Sequence, residues 1–505
     1  MKDVRSAPAL ATDREFHRSG LLALIFAPQT MIVGALAIGA LERFSRLGAY
    51  ELSGDEASSW AAAAQPTLSR LVAVQFQVNP GKLPVHEIVL RAWMAAFGQS
   101  VYALRSLSAA CGTISIALIY LISVELLGGS KTRRARRIGA TTMLLAAASP
   151  VLIRIDYNAR MYALMLLFTL AQMLFFLRAG RRRGLVNYAA LAAFTTLAFA
   201  TNFTSALVIA VEGVWLVGEA AWDWRAGARS HDLIDWRRLA ALAIGLAVLA
   251  PFVGAFQSSI RGEQRGMFAW IAMPGRWEPL ATFESANGSW VFPLLAALAA
   301  YGVVHEYRSH ARAVAFAMLW MWLPPTVLLA GSYAVMPMLV TRYMVSCFVP
   351  FFIATAWGLE AVRRQALRGA LIVLVTLLML VWVHSYFRHP RDGQWREAAA
   401  FALARAGAGA TIGVVPVDNE VYLLSYYLPA DQRWRVVALT HARSGANADG
   451  PQLAAVSELS RGAVRKKFAA QYPVVLATFR GVTVRARGAP LTTPPRGSPV
   501  SRASR

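Results

Sequence analysis

Long apolar runs dominate the chain, and they begin near residues 21, 103, 138, 163, 185, 203, 239, 290, 313, 344 and 370. Each has roughly the length of helix needed to cross a hydrocarbon core of ~30 Å. The pattern predicts an all-α polytopic membrane protein with about 11 transmembrane helices. The interruptions alternate in character. Segments 131–137, 178–184, 219–238, 305–312 and 360–369 hold 18 Lys and Arg, against 11 in the longer set 41–100, 154–161, 201–203, 257–289 and 331–343. Positive residues favour the cytoplasmic side, so the N-terminus is expected inside and everything after about residue 388 outside. Residues 21–40 have the alternative of a signal peptide ending at "AIGA", but the run's length and the many spans that follow favour a retained anchor.

Three regions outside the runs carry their own patterns. The outer loop 41–100 contains "DEASSWAAAA" and "LPVHEIVLRAWMAAFG", two stretches expected as interfacial helices lying along the membrane surface. The segment 257–289, around "WIAMPGRW", reads as a loop. In residues 388–484, "WREAAAFALARAG" has the pattern of a helix and "ATIGVVPV" that of a buried strand, enough for a small α/β domain. The expected division is therefore 1–387 transmembrane, 388–484 a C-terminal α/β extracytoplasmic domain, and 485–505 a disordered tail rich in Pro, Ser and Arg.

Composition narrows the function class. The chain is 57% hydrophobic and 15% charged, with a formal net charge of +24. That charge sits in short clusters between apolar runs, so it fixes orientation and does not call for nucleic acid. Cys111 and Cys347 both fall within apolar runs and are expected as free thiols.

Inside the runs Glu212 is the clear ionisable residue, whereas a secondary transporter usually keeps ionisable or broken-helix ligands near the midplane. Charges gather instead on the outer side: Asp55, Glu56, Lys82, His86, Glu87, Asp156, Arg160, Arg261, Arg265 and Arg342. If one substrate is a lipid-linked phosphate, its leaving group needs cationic stabilisation, and the nucleophile needs a carboxylate base. Each residue also has a plainer reading. Asp55 and Glu56 fit an N-cap and first-turn acid; Arg160 and Arg342 fit interface anchors. His86 and Glu87 point about 100° apart on a helix, a poor arrangement for a shared metal.

The ordered blocks "DEASSW", "GKLPVHEIVLRAWMAAFGQSVYALRSLSAACG", "SPVLIRIDYNARMYAL", "TRYMVSCFVP" and "DGQWREAAAFALARAGAGATIGVVP" resemble the GT-C glycosyltransferases. Within them the chain looks like the bacterial branch related to protein O-mannosyltransferases and lipid A aminoarabinose transferases. The resemblance covers most of residues 20–430. It implies a GT-C fold and a polyprenyl-phosphate-linked sugar donor used at the extracytoplasmic face of the bacterial inner membrane. The acceptor would be a lipid, glycan or protein.

By the same resemblance Asp55 matches the catalytic base and Glu56 the second acid. Lys82 matches a lysine on the lipid phosphate, Arg160 and Tyr162 the "RMY" pair, and Arg342 the late arginine. Two departures stand out: Leu83-Pro84 replaces Pro-Pro, and Asn158 replaces the Glu of "EARMY", with Asp156 two residues earlier. His86, Asp156 and Asn158 are therefore further substrate-site candidates. Metal use is left open, and no nucleic-acid partner is expected. The rival classes are a transporter or flippase of lipid-linked sugar and a non-catalytic envelope assembly protein.

Overall fold

The computed structural model describes residues 26–79, 82–129, 132–227, 234–254, 271–388, 393–406, 410–415, 419–438, 453–457, 472–480 and 482–486. Arg261, Arg265 and the tail beyond 486 lie outside them. The chain forms two compact units, and these do not follow chain order. The first takes residues 1–47, 80–89 and 103–389; the second takes 48–79, 90–102 and 390–505.

Most helices of the first unit follow the apolar runs, whereas one over Glu278–Asn287, with Pro279 in its first turn, forms inside the segment 257–289 expected as a loop. The helices of this unit are α1 (Pro28–Phe44) and, after three helices outside the runs, α5 (Val101–Leu126), α6 (Arg133–Ala147), α7 (Pro150–Asp156), α8 (Met161–Arg181), α9 (Leu185–Thr201), α10 (Ala206–Arg225), α11 (Trp236–Ala247), α12 (Glu278–Asn287), α13 (Phe292–Ala334), α14 (Phe348–Ala361) and α15 (Gln365–Tyr386). Among the described residues five helices are long and apolar enough to cross a membrane, or six if α6 and α7 form one bent span. The protein is a multi-pass membrane protein, and among the described residues α9, with 17 residues, and α11, with 12, are short of the ~20 a full crossing takes.

Helix α13 errs in the other direction. At 43 residues it would reach about 65 Å, twice a hydrocarbon core, and its helical geometry breaks at His310. The two runs at 290 and 313 are its two halves. Arg134 donates to the Glu306 carboxylate beside that break, joining two segments that the charge pattern had assigned to one membrane side. Arg137 pairs with Glu360 and Arg178 with Glu125 in the same manner, at 3.0 and 3.3 Å. The basic clusters are thus tied to acids at helix ends.

The tightest helix pair is α13 with α14. A Cβ on Gly302 would lie 2.2 Å from the Ala354 carbonyl oxygen, and one on Gly358 would lie 1.9 Å from that of Leu298. Small residues let the two backbones touch, which is how helices gain packing energy where no hydrophobic drive separates them from lipid.

In the second unit the outer loop holds α2 (Gly54–Ala63), α3 (Leu68–Val78) and the later turns of α4 (Val85–Phe97). The two expected interfacial helices are α2 and α4; α3 is an addition, started by Thr67 accepting from the Arg70 amide. After α16 (Trp395–Arg405) comes a five-stranded sheet, β1 (Ile412–Val415), β2 (Val436–Ala438), β3 (Leu453–Ser457), β4 (Val474–Phe479) and β5 (Val482–Ala486), with α17 (Glu420–Tyr427) between β1 and β2. The strand order is β2-β1-β3-β5-β4, with β1 parallel to both neighbours and β5 antiparallel to both of its own. Parallel β1–β2 needs a crossover, which α17 supplies.

Gly358→Ala is expected to remove the α13–α14 contact, because the clash is with backbone and cannot be relieved by a rotamer change; overpacking of this kind costs ~1–3 kcal/mol or more. The variant should show a lower melting temperature and a loss of monodisperse protein in detergent, whereas Gly34→Ala, with open space at its Cβ, should match wild type.

Candidate active site

The first unit gathers a cationic cluster from three distant parts of the chain. Lys82 precedes α4, and its Nζ donates to Glu87 Oε1 at 2.6 Å; His86 Nδ1 lies 3.1 Å from the same oxygen. Lys82, His86 and Glu87 are all buried. Burial acts to raise the Glu87 carboxyl, yet the Lys82 ammonium and the His86 hydrogen bond hold it well below the usual carboxylate range. Burial also pushes His86 down, with the charges of Lys82 and Arg160 adding to it and Glu87 opposing. Neutral His86, ionised Glu87 and charged Lys82 are therefore the consistent set.

Arg160 occupies the extended residue at the start of α8, and Ser108 Oγ donates to its carbonyl at 3.5 Å. The next two residues continue the cluster. Met161 Sδ lies 3.6 Å from Lys82 Nζ, and the Tyr162 ring carries the Arg342 guanidinium 5.5 Å above its centroid. Arg342 sits in a short turn, Thr341–Tyr343, which also places its guanidinium 5.8 Å from the Tyr343 ring. Lys82, Arg160, Tyr162 and Arg342, named from three separate sequence blocks, thus fall together. Stacking on two tyrosines orients a planar guanidinium in a way a lysine could not reproduce.

Asp156 and Asn158 are placed differently. Asp156 Oδ2 accepts from Arg43 Nε at 2.7 Å, both residues being 1% exposed, and Arg43 Nη1 also donates to the Gly39 and Ala147 carbonyls. That pair ties α1 to α7. The Asn158 side chain donates to the Arg154 carbonyl at 2.6 Å, within its own turn.

The acid motif belongs to the second unit. Ser53 caps α2 by accepting from the Glu56 amide, and Glu56 Oε2 reaches back to the Ser53 amide at 2.9 Å. This reciprocal capping box, with Glu56 buried, gives that acid a structural task. Asp55, one residue earlier, is half-buried, and its Oδ1 accepts from Asn419 Nδ2 at 3.0 Å.

Asn419, Glu87 and Tyr343 were not among the residues singled out as a site from sequence. Glu87 is adjacent to His86 in the quoted block, but its link to Lys82 spans the start of a helix. Asn419 had no signal short of the fold. Among the described residues no three His, Cys, Asp or Glu are grouped to hold a metal. Asn202 and Asn287, each opening an Asn-X-Ser/Thr tripeptide of the kind that accepts N-glycans, are both buried.

Comparison with known proteins bears on the fold. The family model for dolichyl-phosphate-mannose-protein mannosyltransferases matches residues 79–254. No curated protein sequence matches the chain. Among solved structures, apo ArnT, the lipid A aminoarabinose transferase of Cupriavidus metallidurans, is similar at 15% identity and a TM-score of 0.61, covering 92% of this chain and 99% of that one. The same protein bound to undecaprenyl phosphate gives 14% and 0.60 over the same shares. The oligosaccharyltransferase AglB of Archaeoglobus fulgidus, in complex with an inhibitory peptide and a dolichol-phosphate, gives 10% and 0.53, covering 85% of this chain and 69% of that one. The chain has the GT-C fold: mostly helical, with many apolar helices and a small C-terminal sheet.

The depressed groups fix a pH dependence. A site held below its unfolded value leaves the native protein without a proton that the unfolded chain takes up, so stability is full above the unfolded value and falls as pH drops. For His86 the fall begins below its ordinary value of 6.5, and for Glu87 below 4.5. The melting temperature in detergent should decline from about pH 7 to about pH 5, and His86→Gln should flatten that decline. Equal slopes for the two proteins would mean that His86 is not held neutral.

Proposed function

We propose that the chain is an inverting GT-C glycosyltransferase that moves a sugar from a polyprenyl-phosphate donor to a lipid, glycan or protein acceptor. The convergence of Lys82, Arg160, Tyr162 and Arg342 in one unit carries this reading. Lys82, Arg160 and Arg342 bring three cationic side chains to this cluster, a set suited to a phosphate monoanion or dianion. The similar solved structures add support, since ArnT is bound to undecaprenyl phosphate in one and AglB is in complex with a dolichol-phosphate in another.

In the proposed reaction Asp55 removes the proton from an acceptor hydroxyl. The acceptor oxygen attacks the anomeric carbon, and the bond from that carbon to the phosphate oxygen breaks. Its electron pair leaves on polyprenyl phosphate, whose growing charge is met by Lys82, Arg160 and Arg342. Glu56, held in its capping box, keeps α2 in register beneath Asp55 and takes no proton. The enzyme would sit in the bacterial inner membrane with this chemistry on the outer face, transferring a hexosyl or pentosyl group.

The test is sugar transfer in detergent micelles, using undecaprenyl-phosphate-linked mannose, glucose and aminoarabinose singly as donors and a membrane extract as acceptor. With no sealed compartment, flipping gives no signal. Asp55→Asn should lower transfer by about 10²-fold or more at unchanged membrane abundance. Arg342→Ala, which removes a charge-assisted contact, should lower kcat/KM by roughly 10- to 100-fold. Near-normal transfer by Asp55→Asn would remove Asp55 as the base.

A further inference from the structure

The helix α17 begins at Asn419, a residue type that usually caps its own helix by accepting from the amide two or three residues on. Here the side chain makes no such bond. It turns instead to α2 and donates to Asp55 Oδ1 at 3.0 Å, across 364 positions of sequence. The approach is made possible by Gly54: a Cβ there would lie 3.1 Å from Asn419 Cβ. The same short helix holds the acid segment at further points. Tyr427 Oη accepts from the Leu52 amide at 2.8 Å, and the Tyr426 ring packs edge-on to Trp60 at 5.1 Å. Tyr426 Oη also donates to the Gln99 carbonyl at 2.7 Å, while Trp60 Nε1 donates to the Gln99 side chain at 3.0 Å. Just upstream, the Glu51 carboxylate accepts from the Trp395 and Arg396 amides at 2.6 and 3.1 Å, at the start of α16. Residues 51–60 are thus clamped to the C-terminal part of the same unit from both ends.

We propose that Asn419 is a positioning residue for the Asp55 carboxylate: its amide N–H fixes the rotation of that carboxylate and stabilises it in the ionised form a base must have. This rests on the reading of Asp55 as the base. It also gives the C-terminal segment a part in the chemistry, as the element that supplies the donor. A hydrogen bond given to the charged form favours ionisation, so its loss should make Asp55 harder to ionise, and a second carboxylate in its place harder still.

The experiment is the pH profile of kcat/KM for full-length protein in detergent, with whichever of the three undecaprenyl-phosphate-linked sugars wild type turns over. The comparison takes wild type, Asn419→Ala, Asn419→Asp and Asp55→Asn. The acidic limb should move up by about one pH unit in Asn419→Ala and further in Asn419→Asp. Melting temperature should fall by no more than a few degrees in Asn419→Ala, because no cap is lost and only the hydrogen bond to Asp55 goes. Gly54→Ala, which crowds Asn419 without removing its amide, should lower kcat. An unmoved limb in both Asn419 variants, with Asp55→Asn inactive, would overturn the role of Asn419 and leave the base in place. Activity in Asp55→Asn would overturn the base, and this inference with it.

Discussion

Lys82 carries an ammonium that is 3% exposed, and an isolated cation at that depth would shed its proton or draw its segment out into water. Glu87, 2.6 Å away, keeps the charge in place. The rest of the candidate site depends on that pair. Because Glu87 is held ionised by Lys82 and by His86, it fixes the start of α4 and the side chain preceding it as one unit. Met161 then meets the same ammonium, which brings the first turn of α8, and with it Arg160 and Tyr162, to the cluster. Removing Glu87 would take away the counter-charge 2.6 Å from a buried ammonium, a larger loss than the net worth of the pair.

The apolar pattern located every helix that its runs implied, because a run long enough for a bilayer is unambiguous in one dimension. What it could not give was where a run stops being long enough, as at α11, or that two runs join end to end across a kink, as at His310 in α13. Helix α3 was hidden for another reason. Its buried positions are Leu71 and Gln75, a narrow stripe in a segment too polar to read as a run. The candidate site was legible to the extent that each member came with a local motif: Asp55, Lys82, Arg160, Tyr162 and Arg342 all did. Glu87 was set aside on the argument that neighbours on a helix diverge, which is true of His86 and irrelevant to Lys82, since Lys82 lies before the helix. Asn419 and Arg43 act on partners 364 and 113 residues away, and no periodicity in a single chain encodes such pairs.

Capping logic sorts the two adjacent acids. At the first turn of a helix one acid can bond back to the N-cap amide, and the register of the capping box selects the residue three after the cap. With Ser53 as cap that residue is Glu56, so Asp55 is the acid left to face away from the capping box. On the proposed reading the structural task falls to Glu56 and the chemical one to Asp55, so the two do not compete for the same side chain.

The same sorting applies to the departure at Asn158. In the resembling blocks a glutamate stands there, and the nearest acid in this chain, Asp156, is bound to Arg43 in the helix packing. Its partner in turn closes on the Gly39 and Ala147 carbonyls, so freeing Asp156 would strand a buried guanidinium. Asn158 meanwhile holds the turn together through Arg154. The turn between α7 and α8 thus presents an amide where a carboxylate would add negative charge beside Arg160. The substitution at Asn158 therefore leaves this turn more positive than the resembling blocks would make it, which suits the phosphate of the proposed reaction.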